Sequence, residues 1–342
     1  MLTMDVFNDS AFSGISLTAA LDKFDYVPGY LGSIRGLFTP TPVRTTAIWI
    51  EERANAPALI QTSPRGAEPK QKGGDQRKAR AFNTVRLAEA SRITADELQN
   101  IRAFGSETEL KTMQVEVARR QLKIMQDFDL TFENMRLGAI LGKTVDADGS
   151  VIYDWETEFG QTVPAEIDFD LDNANPASGV IRKKCNQVRR SMLKALKGLG
   201  GSRVEIHAIC GDAFWDDFVN HPEVIKTFEG WSAAASLREG HGGAYTSFNY
   251  GDITWHNYRG TDDDTTLGVG SDKVRFFPVN AGIFPVAQAP AETFDFVNTL
   301  GQPFYSWIIR DEKRNAWADV EVYSYPLHIC TMPSALHRGR RT

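Results

Sequence analysis

Cysteine is scarce in this chain. Cys185, Cys210 and Cys330 are the only three in 342 residues, and they are far apart with no C-x-x-C pair. That excludes a disulfide framework and fits synthesis in a reducing compartment, each thiol acting as a small buried hydrophobe. Long apolar runs are missing too. Stretches such as Ala139-Ile140-Leu141 fall far short of the ~20 residues that a membrane helix needs. MLTMDVFNDSAF at the start has neither the basic opening nor the apolar core of a secretory leader, so none is expected. Nor is there an excess of positive charge, since the formal net charge is −6. A protein that coats nucleic acid is ordinarily basic, because phosphate neutralisation drives its affinity.

The motifs of catalysis are missing as well. His207, His221, His241, His256, His328 and His337 form no i, i+4 pair and no H-E-x-x-H, so each reads as a packing or surface residue. No G-x-S-x-G elbow occurs. Gly138 to Thr144 resembles a phosphate loop, but three residues rather than four separate its glycines and it sits where a helix closes. Asp146-x-Asp148 opens like a calcium loop, yet Val151 and Thr157 stand where that loop needs Gly and Glu, which leaves a reverse turn. Asp262-Asp263-Asp264 reads as a solvated loop tip. Nothing here nominates an enzyme, a metal or a cofactor.

What is present is a real core. Hydrophobic residues make up 42% and charged residues 24% of the chain, with 20 Phe, 9 Tyr and 7 Trp as bulky packing material. Against that background, residues 61–80 stand out. QTSPRGAEPKQKGGDQRKAR contains no Leu, Ile, Val, Met or aromatic residue that could offset the entropy of ordering it. Strand-like runs flank it at 43–53 and 82–87, which predicts a long hairpin arm whose order comes from another molecule.

Next comes the strongest helical pattern. Leu110, Met113, Val117, Ile124, Phe128, Met135 and Ala139 recur at spacings of three, four or seven, and Ser106 can cap. This predicts a helix over 106–142, roughly 50 Å long, with a single apolar stripe on which strands pack. Further helices are expected at 16–22, 176–198 and 211–219, and strands at 203–210, 253–258, 273–279, 304–311 and 317–325. Because helices and strands come in blocks rather than βαβ units, the fold class is α+β.

Charge is segregated along the chain. Arg65, Lys70, Lys72, Arg77, Lys78, Arg80 and Arg86 face only Glu68 and Asp75 over 65–86. Residues 146–172 carry nine acids, among them Asp154, Glu156 and Glu158, and no base; residues 180–203 carry eight bases and no acid. Such blocks are either solvated faces or surfaces that meet across subunit contacts. The candidate contact residues are Arg65, Lys70, Lys72, Arg77, Lys78, Arg80, Asp154, Glu156 and Glu158.

The order of segments then resembles a known family. MDVFNDSAFSGISLTAAL (4–21), YVPGYLGSIRGLF (26–38), the strand ending in Glu51 and Glu52, the PRG of the arm (64–66), RAFGSETEL (102–110) and LGAILGKTVDADGSVIYDWETEFG (137–160) follow one another as in the lambda-like major capsid proteins of tailed bacteriophages. The resemblance implies the Hong Kong-type phage capsid fold. It would divide the chain into an N-terminal arm at 1–45, an extended loop at 46–87, a peripheral domain at 88–165 and 296–342, and an axial domain at 166–295. It implies hexamers and pentamers of this chain closing into an icosahedral virion head around double-stranded DNA, assembled in the host cytoplasm. The implied partners are further copies, a separate scaffold, a portal and a decoration protein, with no membrane and no cofactor. The Lys–Asn pair with which some members cross-link covalently is not identified here. Two other readings stay open at this point: a same-fold shell of a cellular compartment, and a cytosolic enzyme with 61–80 as a lid.

If opposite charge blocks meet between copies, raising salt from about 0.1 M to about 1 M cuts the screening length from ~10 to ~3 Å and weakens their association. Sedimentation velocity across that range measures it, and no salt dependence assigns the blocks to solvated faces.

Overall fold

The computed structural model describes residues 29–53, 77–99, 109–173, 176–229, 247–258, 267–314 and 316–342. The helices expected at 16–22 and capped at Ser106 begin outside them. Within them the spine helix runs Glu109–Leu141, and Met113, Val117, Ile124, Phe128, Met135 and Ala139 are all buried. The single stripe holds only for the first half. Farther along, Phe132, Leu137 and Ile140 are buried too, with Glu133 and Arg136, whereas Val115 and Leu122 near the start are exposed. The helix drives its C-terminal turns into the point where the sheets converge. It stops at Gly142, whose φ of 84° lies in the left-handed region and whose N–H donates to Ala139 O at 3.2 Å. Gly138 is needed for a close return, since a Cβ there would lie 2.5 Å from Lys143 O.

Against the spine lies an antiparallel three-stranded sheet, ordered Tyr305–Arg310, Trp317–Ser324, Leu87–Thr94. Alternation sets its faces: Ala318, Val320, Val322 and Ser324 are buried, and Val322 clusters with Ile124, Phe128 and Phe132 of the spine. The strand expected over 82–87 is divided. One strand ends at Asn83 and another starts at Leu87, because the intervening amides bond in two directions, Thr84 N–H to Thr46 O and Val85 N–H to Pro326 O. The chain crosses there from the arm to the sheet.

A six-stranded sheet lies apart from this one, ordered Ile167–Asp168, His337–Arg340, Lys273–Val279, Glu205–Cys210, Ile253–Asn257, Ser247–Tyr250. Its core is aromatic. Phe169, Phe214, Phe218, Trp255 and Phe276 are fully buried, and the Phe218 and Trp255 rings stack at 4.1 Å. The basic helix Val180–Leu196 covers it with Ile181, Cys185, Val188, Met192 and Leu196. Gly179 offers that helix no side-chain cap; instead Glu223 accepts the Ile181 and Arg182 N–H groups at 3.1 and 3.2 Å. All three cysteines are free and buried, and burial pushes the Cys185 and Cys330 thiols up to about 12.

A smaller sheet joins Thr39–Pro42, Pro285–Gln288 and Pro326–His328. Residues from Tyr305 to Arg340 thus place a strand in each of these three sheets. At the junction sits Glu133, 4% exposed. Its carboxylate accepts the Leu31 N–H at 2.8 Å and the Tyr258 hydroxyl at 3.3 Å, and pairs with Arg136 at 3.4 Å. Glu133→Ala strands those buried donors and should lower unfolding free energy by about 3 kcal/mol, with Glu133→Gln losing less. Urea denaturation at neutral pH decides it, and an unchanged midpoint for the alanine variant refutes the linkage.

Candidate assembly interface

The arm is a two-stranded antiparallel ribbon, Ala47–Arg53 against Arg77–Asn83, in register from Ala47↔Asn83 to Arg53↔Arg77. Its second strand begins within the stretch expected to be unstructured, and β-branched and aromatic residues at the root explain the pairing. Ile48 opposite Phe82 points inward, and both are buried, whereas Trp49 points outward and is 66% exposed. The seat beneath is aromatic. The Phe82 ring lies 5.6, 5.4 and 5.5 Å from Tyr153, Trp155 and Phe159. Backbone bonding locks it: Asn83 N–H donates to Tyr153 Oη at 3.1 Å, and the Tyr153 hydroxyl returns to Asn83 O at 3.3 Å. The arm root is thus held by contacts within its own chain.

The six basic contact candidates divide into three groups. Arg65, Lys70 and Lys72 lie outside the described residues. Arg77 and Lys78 belong to the second strand of the arm. Arg80 is half-buried at the root, its guanidinium 5.9 Å from the centre of the Phe159 ring.

The acidic side is folded into local work. Asp154 caps the short helix Trp155–Phe159, accepting from Glu156 and Thr157 N–H, and pairs with Lys143 at 3.0 Å. Glu156 accepts the Val163 N–H at 3.3 Å, while Glu158 is half-exposed on the same helix. Farther along the acidic block, Glu166 pairs with Lys273 at 3.2 Å and Asp168 with Arg340 at 3.2 Å. The structure thus brings Arg80 to the acidic helix inside one chain. The aromatic seat of Phe82, Tyr153, Trp155 and Phe159 was not singled out from the sequence; its signal is the aromatic spacing within VIYDWETEF.

Other candidate chemistry resolves into packing. The turn at Asp146 to Ser150 closes with Asp146 N–H on Ser150 O at 2.8 Å, between the strands Lys143–Val145 and Val151–Asp154. His207 and His256 stack in the interior with ring nitrogens 3.1 Å apart, and burial lowers His256 to about 3. His328, enclosed entirely, is also lowered to about 3 by burial, so both stay neutral in ordinary buffers. His241 and the Asp262 to Asp264 run lie outside the described residues. Among the described residues, no helix is long and apolar enough to cross a membrane.

A sheet-backed spine helix, a hairpin arm and a second, six-stranded sheet together define a Hong Kong-type phage capsid subunit. A solved prophage protein from E. coli CFT073 shares the fold, with a TM-score of 0.54 over 96% of this chain and 99% of that one at 14% identity. The major capsid protein of Salmonella phage Felix O1 is 28% identical over 358 residues, covering 96% of this chain and 95% of the relative. That of Pseudomonas phage KPP10 is 25% identical over 326 residues, covering 89% and 90%. The phage major capsid protein E family matches residues 15–341, and the chain belongs to it. It is a structural capsid subunit that associates with itself and forms part of the virion, and it is not an enzyme. The lid reading of the arm ends there.

Hydrogen bonding to Lys143 holds the Asp154 carboxyl below the usual range. A carboxylate so depressed stabilises the fold above its unfolded pKa of about 3.9, and that contribution is lost as pH falls through the folded value. Asp154→Ala should therefore cost about 1–2 kcal/mol at pH 7, chiefly through the lost cap, with the gap to the parent closing below about pH 4. Thermal melts at both pH values test it; an equal deficit at low pH would assign the loss to packing.

Proposed function

We propose that copies of this chain close as hexamers and pentamers into an icosahedral head around packaged double-stranded DNA, in the host cytoplasm, with the hairpin arm as the principal reach between neighbours. One observation carries this. The ladder of the arm continues to Arg53↔Arg77 on an aromatic root, and the sequence 54–76 that joins its strands contains the polar run 61–76 with Arg65, Lys70 and Lys72. Such a ribbon adds contact area without enlarging a core, which suits a surface that must meet neighbours in non-equivalent settings.

The division into parts follows from the same reading: N-terminal arm 1–45, extended loop 46–87, peripheral domain 88–165 and 296–342, axial domain 166–295. The spine helix and the three-stranded sheet support the peripheral assignment. Four of the six strands of the larger sheet fall wholly between 205 and 279, while His337–Arg340 reaches into it from the C-terminal span. Arg65, Lys70, Lys72, Arg77 and Lys78 would meet acids of a neighbour, whereas Arg80 is engaged at the root of its own arm, with Glu158 the least engaged of the three acidic candidates. A scaffold, a portal and a decoration protein complete the partners. A net charge of −6 suits a container that must release its DNA.

Deleting 61–76 and closing the ribbon with a short Gly-Ser turn keeps both paired strands. The variant should melt as the parent subunit does, yet give no closed particles by negative-stain microscopy. Particles of normal yield and stability from the deletion would overturn the role of the arm.

A further inference from the structure

The loop between the strands Pro285–Gln288 and Tyr305–Arg310 exposes more apolar surface than folding explains. Phe294 is 100% exposed, and Val297 and Leu300 are 55% and 51% exposed. Single exposed apolar residues are ordinary; three within seven residues, centred on a bare phenyl ring, form a patch. The loop is also stiff. Phe296 beneath it is buried, its ring 4.8 Å from Tyr305 and 6.1 Å from Trp307. Phe296 N–H bonds Thr293 O at 3.0 Å, and Thr299 returns its N–H and hydroxyl to Phe296 O at 3.2 and 2.7 Å. Gly301 closes the loop on Val43 O at 2.9 Å, in a space where a Cβ would lie 2.0 Å from Gln288 O. A rigid loop presenting an aromatic ring loses little entropy on contact.

The same chain carries a receptor of matching chemistry. A hollow of about 360 Å³ lies between the spine helix and the Thr39–Pro42 strand, lined by Phe38, Pro40, Met125, Phe132, Pro303 and Phe304 among others. Phe294 is fully exposed, so it does not fill the hollow of its own subunit. In a chain that associates with itself, an apolar knob and a largely apolar hollow that do not meet within one subunit can meet between copies.

We infer that loop 292–300 is an apolar anchor between subunits, with Phe294 seated in the hollow of a neighbouring copy. The inference rests on the shell reading and adds to it a contact that does not depend on charge or on the arm. Phe294→Cys and Pro40→Cys, made in separate full-length chains and mixed during assembly, should form a disulfide-linked dimer on oxidation, about tenfold above either variant alone. The native thiols are all buried and leave a clean background. Phe294→Ser should melt like the parent, because the ring touches no core, yet assemble about tenfold less well. Wild-type assembly by Phe294→Ser, or particles from the mixed variants with no cross-link, overturns the anchor and leaves the shell reading standing. If the unaltered chain forms no particles, both fail.

Discussion

The Glu133 carboxylate accepts hydrogen bonds from the Leu31 amide and the Tyr258 hydroxyl, and satisfying those bonds fixes three parts of the subunit at once. A carboxylate buried in a helix is costly unless its oxygens are occupied and a cation is close. Here Arg136, one turn on, supplies the cation. Leu31 brings the short helix Tyr30–Ser33, and Tyr258 brings the end of the Ile253–Asn257 strand. Moving any of the three leaves a buried polar group without its partner. Tyr30 adds an apolar clasp, its ring 5.1 Å from His256 and 6.0 Å from Tyr258.

From that fixed centre the subunit projects parts that its own core does not need. The hairpin leaves over an aromatic seat, the basic helix shows its cations to solvent, and loop 292–300 shows a bare phenylalanine. Each is stiff at its base. Phe82 is 2% exposed and Phe296 6%, whereas Trp49 on the hairpin is 66% exposed and Phe294 on the loop 100%. A shell gains from this division, because entropy already lost on folding does not oppose assembly a second time. The charge pattern is subtler than opposed blocks suggest. Asp154, Glu166 and Asp168 spend their charge inside the chain, and Arg189 of the basic helix pairs with Asp252. Exposed pairs of this kind contribute little each, so they set local geometry more than stability.

The long helix and the central strands were legible because periodicity reports burial on one face: the stripe of Met113, Val117, Ile124, Phe128, Met135 and Ala139 is buried, and Lys273–Val279 forms a strand where one was expected. What was not legible depended on contacts distant in sequence. Nothing near Thr84 or Val85 announces that their amides bond to Thr46 and Pro326, so one strand was expected where two occur. The second half of the spine is enclosed by sheets from elsewhere in the chain, which no single stripe reveals. Phe294 looks like a core residue in sequence, and only the fold shows that Phe296 took the core position. For the contact candidates, residue type was readable but engagement was not: Asp154 is a helix cap, a role set by the turn after Tyr153.

The most direct test of this account is an electron cryo-microscopy map of particles assembled from the full chain. The account predicts density for the hairpin 47–83 running from its Phe82 root onto the surface of an adjacent copy. A map in which the hairpin folds back on its own subunit, with no neighbour within contact distance, would contradict it.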